Sequence, residues 1–139
     1  MTKLHYGGTG ALEEKQKMDK EAYDRGQLFA QLLYGSESEQ IKAAARILDI
    51  DEDSATKVDI DRAIASIESG DYLTRTIADL QTLRANMSYN NLTEEDIDRL
   101  ANSQGLRKEG GSYVFDRNLL NLQQTGYDYN TRYLAGDTR

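Results

Sequence analysis

The chain has 139 residues, a formal charge of −7 from 17 basic and 24 acidic side chains, 38% hydrophobic residues, and neither cysteine, proline nor tryptophan. The lack of cysteine excludes disulfides, thiolate nucleophiles, zinc ribbons and iron–sulfur clusters, and the single histidine, His5, leaves a histidine metal site or a Ser/His/Asp triad dependent on one residue in a Gly-rich stretch. The acidity argues against sequence-independent binding to nucleic acid, which is driven by Lys and Arg displacing counterions from phosphates.

The first twenty residues have no continuous apolar run of the kind that builds a signal peptide, and no segment approaches the ~20 apolar residues needed to span a bilayer. The expected location is therefore cytoplasmic or within a virion, without a membrane partner. A chain of this length buries roughly two-thirds of the surface that its unfolded form exposes, enough for one core.

Residues 1–11 contain Gly7, Gly8 and Gly10 and few anchoring side chains, and are expected as a flexible N-terminal arm. They are not a phosphate cradle, because no strand precedes them and no Gly-Lys-Ser/Thr follows. A helical domain is expected over 12–125. From Leu12 to Tyr34, Met18, Ala22, Phe29, Leu32 and Leu33 recur at helical spacing among charged residues, with Gly26 as a weak point and Gly35 as a left-handed stop. A second helix is predicted from Ser36 or Ser38 to about Leu48, with Ile41, Ala44, Ala45 and Leu48 on one face. Asp49 to Ser54 reads as an acidic loop. Thr56 to Ser69 gives a third helix, stopped by Gly70, and Leu73, Ile77, Leu80, Leu83 and Met87 give a fourth with the cleanest apolar stripe, ending at Asn90 and Asn91.

The fifth helix has an explicit start: Thr93 and Asp96 form a capping box and Leu92 is placed to staple onto Ile97. A hairpin is predicted over 106–115, two short runs joined by Gly110 and Gly111. Asp116 caps a short last helix carrying Leu119, Leu120 and Leu122, and 126–139 reads as an extended Tyr-rich tail. The fold class is thus mainly α, a small bundle of about five to six helices with one β-hairpin and extended termini. TKVDIDR at 56–62 is matched by TEEDIDR at 93–99, an offset of 37 residues. Convergence is the preferred reading, because Thr caps and acidic first turns are favoured wherever helices begin.

Asp49, Asp51 and Asp53 are spaced like the first ligands of a calcium loop, but Ser54 stands where glycine is required and Ile60 where a bidentate Glu should close the sphere. A solvated acidic entry to a helix is the better reading, and no metal or cofactor is expected. The pair Glu21 and Asp24 resembles half of a helical magnesium site, with Glu94, Glu95 and Asp98 as a nominal second half; charged helix exteriors produce such pairs by chance, and no enzymatic activity is expected. Residues 37–61 hold eight acidic and three basic side chains, so Asp49, Asp51, Glu52, Asp53, Asp59 and Asp61 form a candidate acidic docking surface.

The tail offers Tyr127, Tyr129, Arg132, Tyr133 and Leu134, side-chain types that dominate binding hot spots, as a candidate partner-binding segment; the competing reading is that it wraps over its own helices. The expected function is a non-enzymatic structural subunit that docks into a larger assembly through its terminal arms, of the kind found as a virus or phage connector, plug or accessory protein. Its expected partners are proteins, including other copies of itself. The alternative is an acidic monomer that imitates nucleic acid and blocks a basic groove.

Overall fold

The computed structural model describes the backbone of residues 2–120 and the side chains of residues 13–120; Leu122 and the segment 126–139 lie outside the described residues. In chain order the elements are helices α1 (Thr2–Tyr34), α2 (Glu37–Leu48), α3 (Lys57–Glu68), α4 (Thr74–Ala85) and α5 (Glu94–Ser103), then strands β1 (Leu106–Glu109) and β2 (Ser112–Phe115). Single 3₁₀ turns occupy Glu52–Ser54 and Arg117–Leu119. None of the described helices is long and apolar enough to cross a membrane.

α1 begins at Thr2, inside the stretch expected as a separate arm. Once a helix is nucleated each further residue adds a hydrogen bond, and a glycine costs only about 1 kcal/mol relative to alanine, so Gly7, Gly8 and Gly10 do not stop it. The far end departs from expectation in mechanism. Gly35 is not left-handed; a Cβ there would lie 2.6 Å from the Gln31 carbonyl oxygen and 3.0 Å from the Glu39 side chain. Glycine is needed because the chain folds tightly into the α2 cap, where Ser36 and Glu39 exchange reciprocal bonds at 2.9 and 3.2 Å. The Gln40 amide then donates to the Leu32 carbonyl at 2.8 Å, occupying one of the acceptors that the end of α1 leaves open.

The core is built around Phe29, which is fully buried and meets Tyr72 and Phe115 edge-on, with centroids 5.9 and 6.0 Å away. Leu32, Ile67, Leu73, Ile97 and Leu106 complete its interior. The hairpin pairs Leu106 with Phe115 and Glu109 with Ser112, as its glycine turn predicts; Gly110 has φ +63° while Gly111 does not go positive, the signature of a turn with a left-handed first position. β1 and β2 cannot persist alone, and Leu106 and Tyr113 anchor them in the core.

α1 and α5 run parallel. Lys15 pairs with Asp96 at 3.3 Å, Asp19 with Arg99 at 3.4 Å, and Arg25 donates to the Gln104 side-chain oxygen at 2.7 Å, so position advances together along both helices. Gly26 is the closest point of the crossing: a Cβ would stand 1.9 Å from the Ser103 carbonyl oxygen. The residue expected as a weak point is where the two backbones touch, which only glycine permits.

The short sequence match proves to be part of a longer correspondence. α2 and α4 each have 12 residues and begin 37 positions apart, and α3 and α5 begin 37 apart. The four buried residues of α3, Asp59, Ile60, Ala63 and Ile67, fall on the buried Asp96, Ile97, Leu100 and Gln104. The two helix–connector–helix units thus share a cap and a buried face, as one helical period started from the same capping box produces. They differ in closure. Three alanines and Ile47 are buried on α2, whereas on α4, expected to have the cleanest stripe, Leu80 is the buried residue and Ile77 and Leu83 are half-covered. Periodicity shows which side of a helix is apolar, not how closely a neighbour approaches it.

The short last helix is a 3₁₀ turn capped by Asp116, with Leu119 partly exposed and Leu120 buried.

Candidate functional site

The acidic residues at 49–61 divide into two kinds. Asp59 sits in the first turn of α3, only 8% exposed, accepting from the Thr56 N–H at 2.9 Å and from Arg62 at 2.7 Å. The Thr56 backbone bond and then Arg62 hold its carboxyl below the ordinary value, against the opposing effect of burial. It therefore does not belong to the acidic docking surface: a carboxylate at the third position of a helix turns back to the cap. Asp49, Asp51, Glu52, Asp53 and Asp61 are all exposed. Asp49 closes α2 in the left-handed region at φ 57°, and Asp51 accepts the Asp53 N–H at 3.0 Å. These local roles explain the calcium-like spacing, since short carboxylates close turns with their own backbone. The described residues contain no group of three or more His, Cys, Asp or Glu placed to hold a metal ion.

Among the described residues none of these five carboxylates lies within ion-pair distance of a basic side chain, while the nearby Glu37 pairs with Lys57 and Asp59 with Arg62. Within the same stretch of sequence Ile50 is 37% exposed and Val58 68% exposed. The sequence reading did not single out these two apolar residues. Val58 falls on the polar side of the α3 pattern, and that mismatch was the available signal.

A second charged group lies on the α1–α5 seam. Asp96, 7% exposed, accepts from the Thr93 N–H at 2.8 Å and lies against Lys15 and Arg99. Burial pushes its carboxyl up, but the Thr93 backbone, Lys15, the Thr93 hydroxyl and Arg99 together outweigh burial and hold it down at about 2. This cluster fixes the register of α1 on α5. Of the pair considered for magnesium, Asp24 is engaged by Lys20 at 2.9 Å and Glu21 points elsewhere, to the rim of a groove. Glu94 is taken by Arg84 and Lys108, so the two halves of that site do not converge.

The groove lies between α1, α4 and α5, with a volume of about 360 Å³. Its floor is Ala22, Leu80 and Leu100, all buried, and its walls carry the half-buried Met18 and Leu83. It exists because α4 packs less closely than its counterpart α2.

The predicted partner-binding residues Tyr127, Tyr129, Arg132, Tyr133 and Leu134 lie outside the described residues. The structure does place the points from which the two terminal segments leave. Lys15 is fixed at the N-terminal turn of α5 through Asp96. Leu120 lies against Gly105, just beyond the C-terminal end of α5, where a Cβ on the glycine would come within 3.2 Å of the leucine. Residues before 15 and after 120 thus depart from opposite ends of the α1–α5 pair. No protein-family model, curated protein or solved structure matches the chain.

Proposed function

We propose that this protein is a non-enzymatic docking subunit of a larger assembly, a helical body held among protein neighbours by its two terminal segments. The observation that carries the reading is the departure of those segments from opposite ends of the α1–α5 pair, at Lys15 and at Leu120. A 33-residue helix is about 50 Å long, whereas a globule of roughly 100 residues is only about 33 Å across. α1 is therefore longer than the body it packs on, and its N-terminal part reaches past it. One subunit then has a projecting helix at one end and, at the other, the point beyond which its Tyr-rich sequence continues, an arrangement suited to head-to-tail contacts in a ring or a particle such as a viral connector.

The test is native mass by light scattering across a concentration range, for the full chain, for a chain lacking 1–11 and for one lacking 126–139. A discrete multimer that forms as concentration rises, and fails to form in either shortened chain, supports the reading. A monomer in all three at every concentration, or a multimer indifferent to both deletions, overturns self-assembly through the ends.

The exposed carboxylates of 49–61, without an ion pair among the described residues, favour a second reading, an acidic docking face for a basic groove, to which the exposed Ile50 and Val58 would add apolar contact area. Its mark is partner binding that weakens steeply with salt and loses that dependence on Asp49, Asp51 and Asp53→Asn.

A further inference from the structure

We propose that in the unassembled protein the chain's own segment Tyr127–Leu134 lies in the groove between α1, α4 and α5. Three observations select this occupant. The first is position. The last described residue, Leu120, touches Gly105, the neighbour of Gln104, which closes one end of the groove together with Arg25. The groove follows α1 from Arg25 to Met18, about 10 Å of helix, and the six residues between Leu120 and Tyr127 span up to about 20 Å when extended. The segment therefore starts beside the groove with chain enough to enter it.

The second observation is chemical. The groove floor is apolar, and its rim carries Glu21 and Asp79, exposed carboxylates without an ion pair among the described residues. If it seats in an extended conformation, the segment would turn Tyr127 and Tyr129 to one side and Asp128 to the other, with Arg132 following in sequence. Two tyrosines on the floor and Arg132 at Glu21 or Asp79 satisfy both kinds of surface.

The third is the comparison of the two helical units. The face that α2 and α3 close with buried alanines is left open by α4 and α5, so the groove marks where the second unit lacks a filling element. The other groove, about 420 Å³ between α3, α4 and β2, is lined by a similar mixture of polar and apolar side chains but offers Arg132 no open carboxylate, since its Glu68 is already held by Arg117.

The chain has no cysteine, so paired cysteines report contacts directly. Thr82→Cys, on the groove wall, would be combined with Tyr129→Cys in the full chain, and Ser69→Cys with Tyr129→Cys as the comparison. Disulfide formation under mild oxidation would be followed at low protein concentration by mass and non-reducing electrophoresis. The expected result is an intrachain disulfide for the Thr82 pair at least about tenfold faster than for the Ser69 pair: Ser69 adjoins Glu68, which holds Arg117 beside the exit of the segment, so an unseated tether favours Ser69 and only seating favours Thr82. Equal rates, or a faster Ser69 pair, overturn the proposal; an interchain product overturns the assignment to the same chain. Trypsin cleavage after Arg132 gives a measurement without cysteines: it should be slower in the unaltered chain than in a Leu83→Glu variant, and equal rates refute the seat. The inference is separable from the assembly reading, since a seated segment in a chain that never multimerises keeps the one and removes the other.

Discussion

Gly26→Ala tests the packing argument most directly, because the ordinary expectation and the structural one have opposite signs. Within an exposed helix, alanine in place of glycine stabilises by about 1 kcal/mol. Here the new methyl would stand 1.9 Å from the Ser103 carbonyl oxygen and 3.0 Å from its carbon. A carbon–oxygen contact needs about 3.2 Å or more, and the obstacle is backbone, so α1 and α5 must part by about 1 Å. A gap of that size forfeits a quarter to a half of the dispersion attraction of each facing atom pair, along a seam that includes Ala22, Phe29, Leu100 and Ala101.

Overpacking of this kind costs about 3 kcal/mol, and the helix-propensity gain offsets about 1, leaving a net loss of about 2 kcal/mol. With a urea dependence of about 2 kcal/mol per molar, the unfolding midpoint measured by far-UV circular dichroism should fall by about 1 M. Ser103→Ala should not rescue the variant, because the clash is with the main chain. A midpoint unchanged or raised by Gly26→Ala refutes the close crossing of α1 and α5.

Asp96→Asn should destabilise by about 1 kcal/mol at pH 6, a figure reduced for the partial exposure of its Lys15 and Arg99 partners. Since the folded carboxyl is held at about 2 against an ordinary 3.8, its contribution is complete above the ordinary value and is lost as pH falls from there through 2. Urea midpoints of the native and variant chains should therefore converge toward pH 2, and a gap independent of pH would exclude the charged form of Asp96 as its source. Glu52→Gln, Asp53→Asn and Asp61→Asn together should change stability by less than about 0.5 kcal/mol in thermal unfolding; a loss above 1 kcal/mol would show that these carboxylates hold the fold together and are not available to a partner.

The sequence by itself determined the local events. Ser36 with Glu39 and Thr93 with Asp96 cap the helices they were read to cap, Gly70 stops α3, and Gly110 and Gly111 turn the hairpin in its predicted register, because caps and turns are made by residues within a few positions of one another. The paired helix starts at Thr56 and Thr93 were visible for the same reason.

Only the tertiary structure decided how near the helices come. Gly26 looked like a defect until Ser103 was placed against it, Asp59 looked like part of an acidic surface until its carboxylate was found turned inward, and the apolar stripe of α4 concealed how much of it stays uncovered. Each of these depends on residues far apart in the chain, or on the direction a side chain takes. A hydrophobic period gives the angle of a helix face but not the distance to its neighbour, and here that distance creates both the tight seam at α5 and the open groove beside α4.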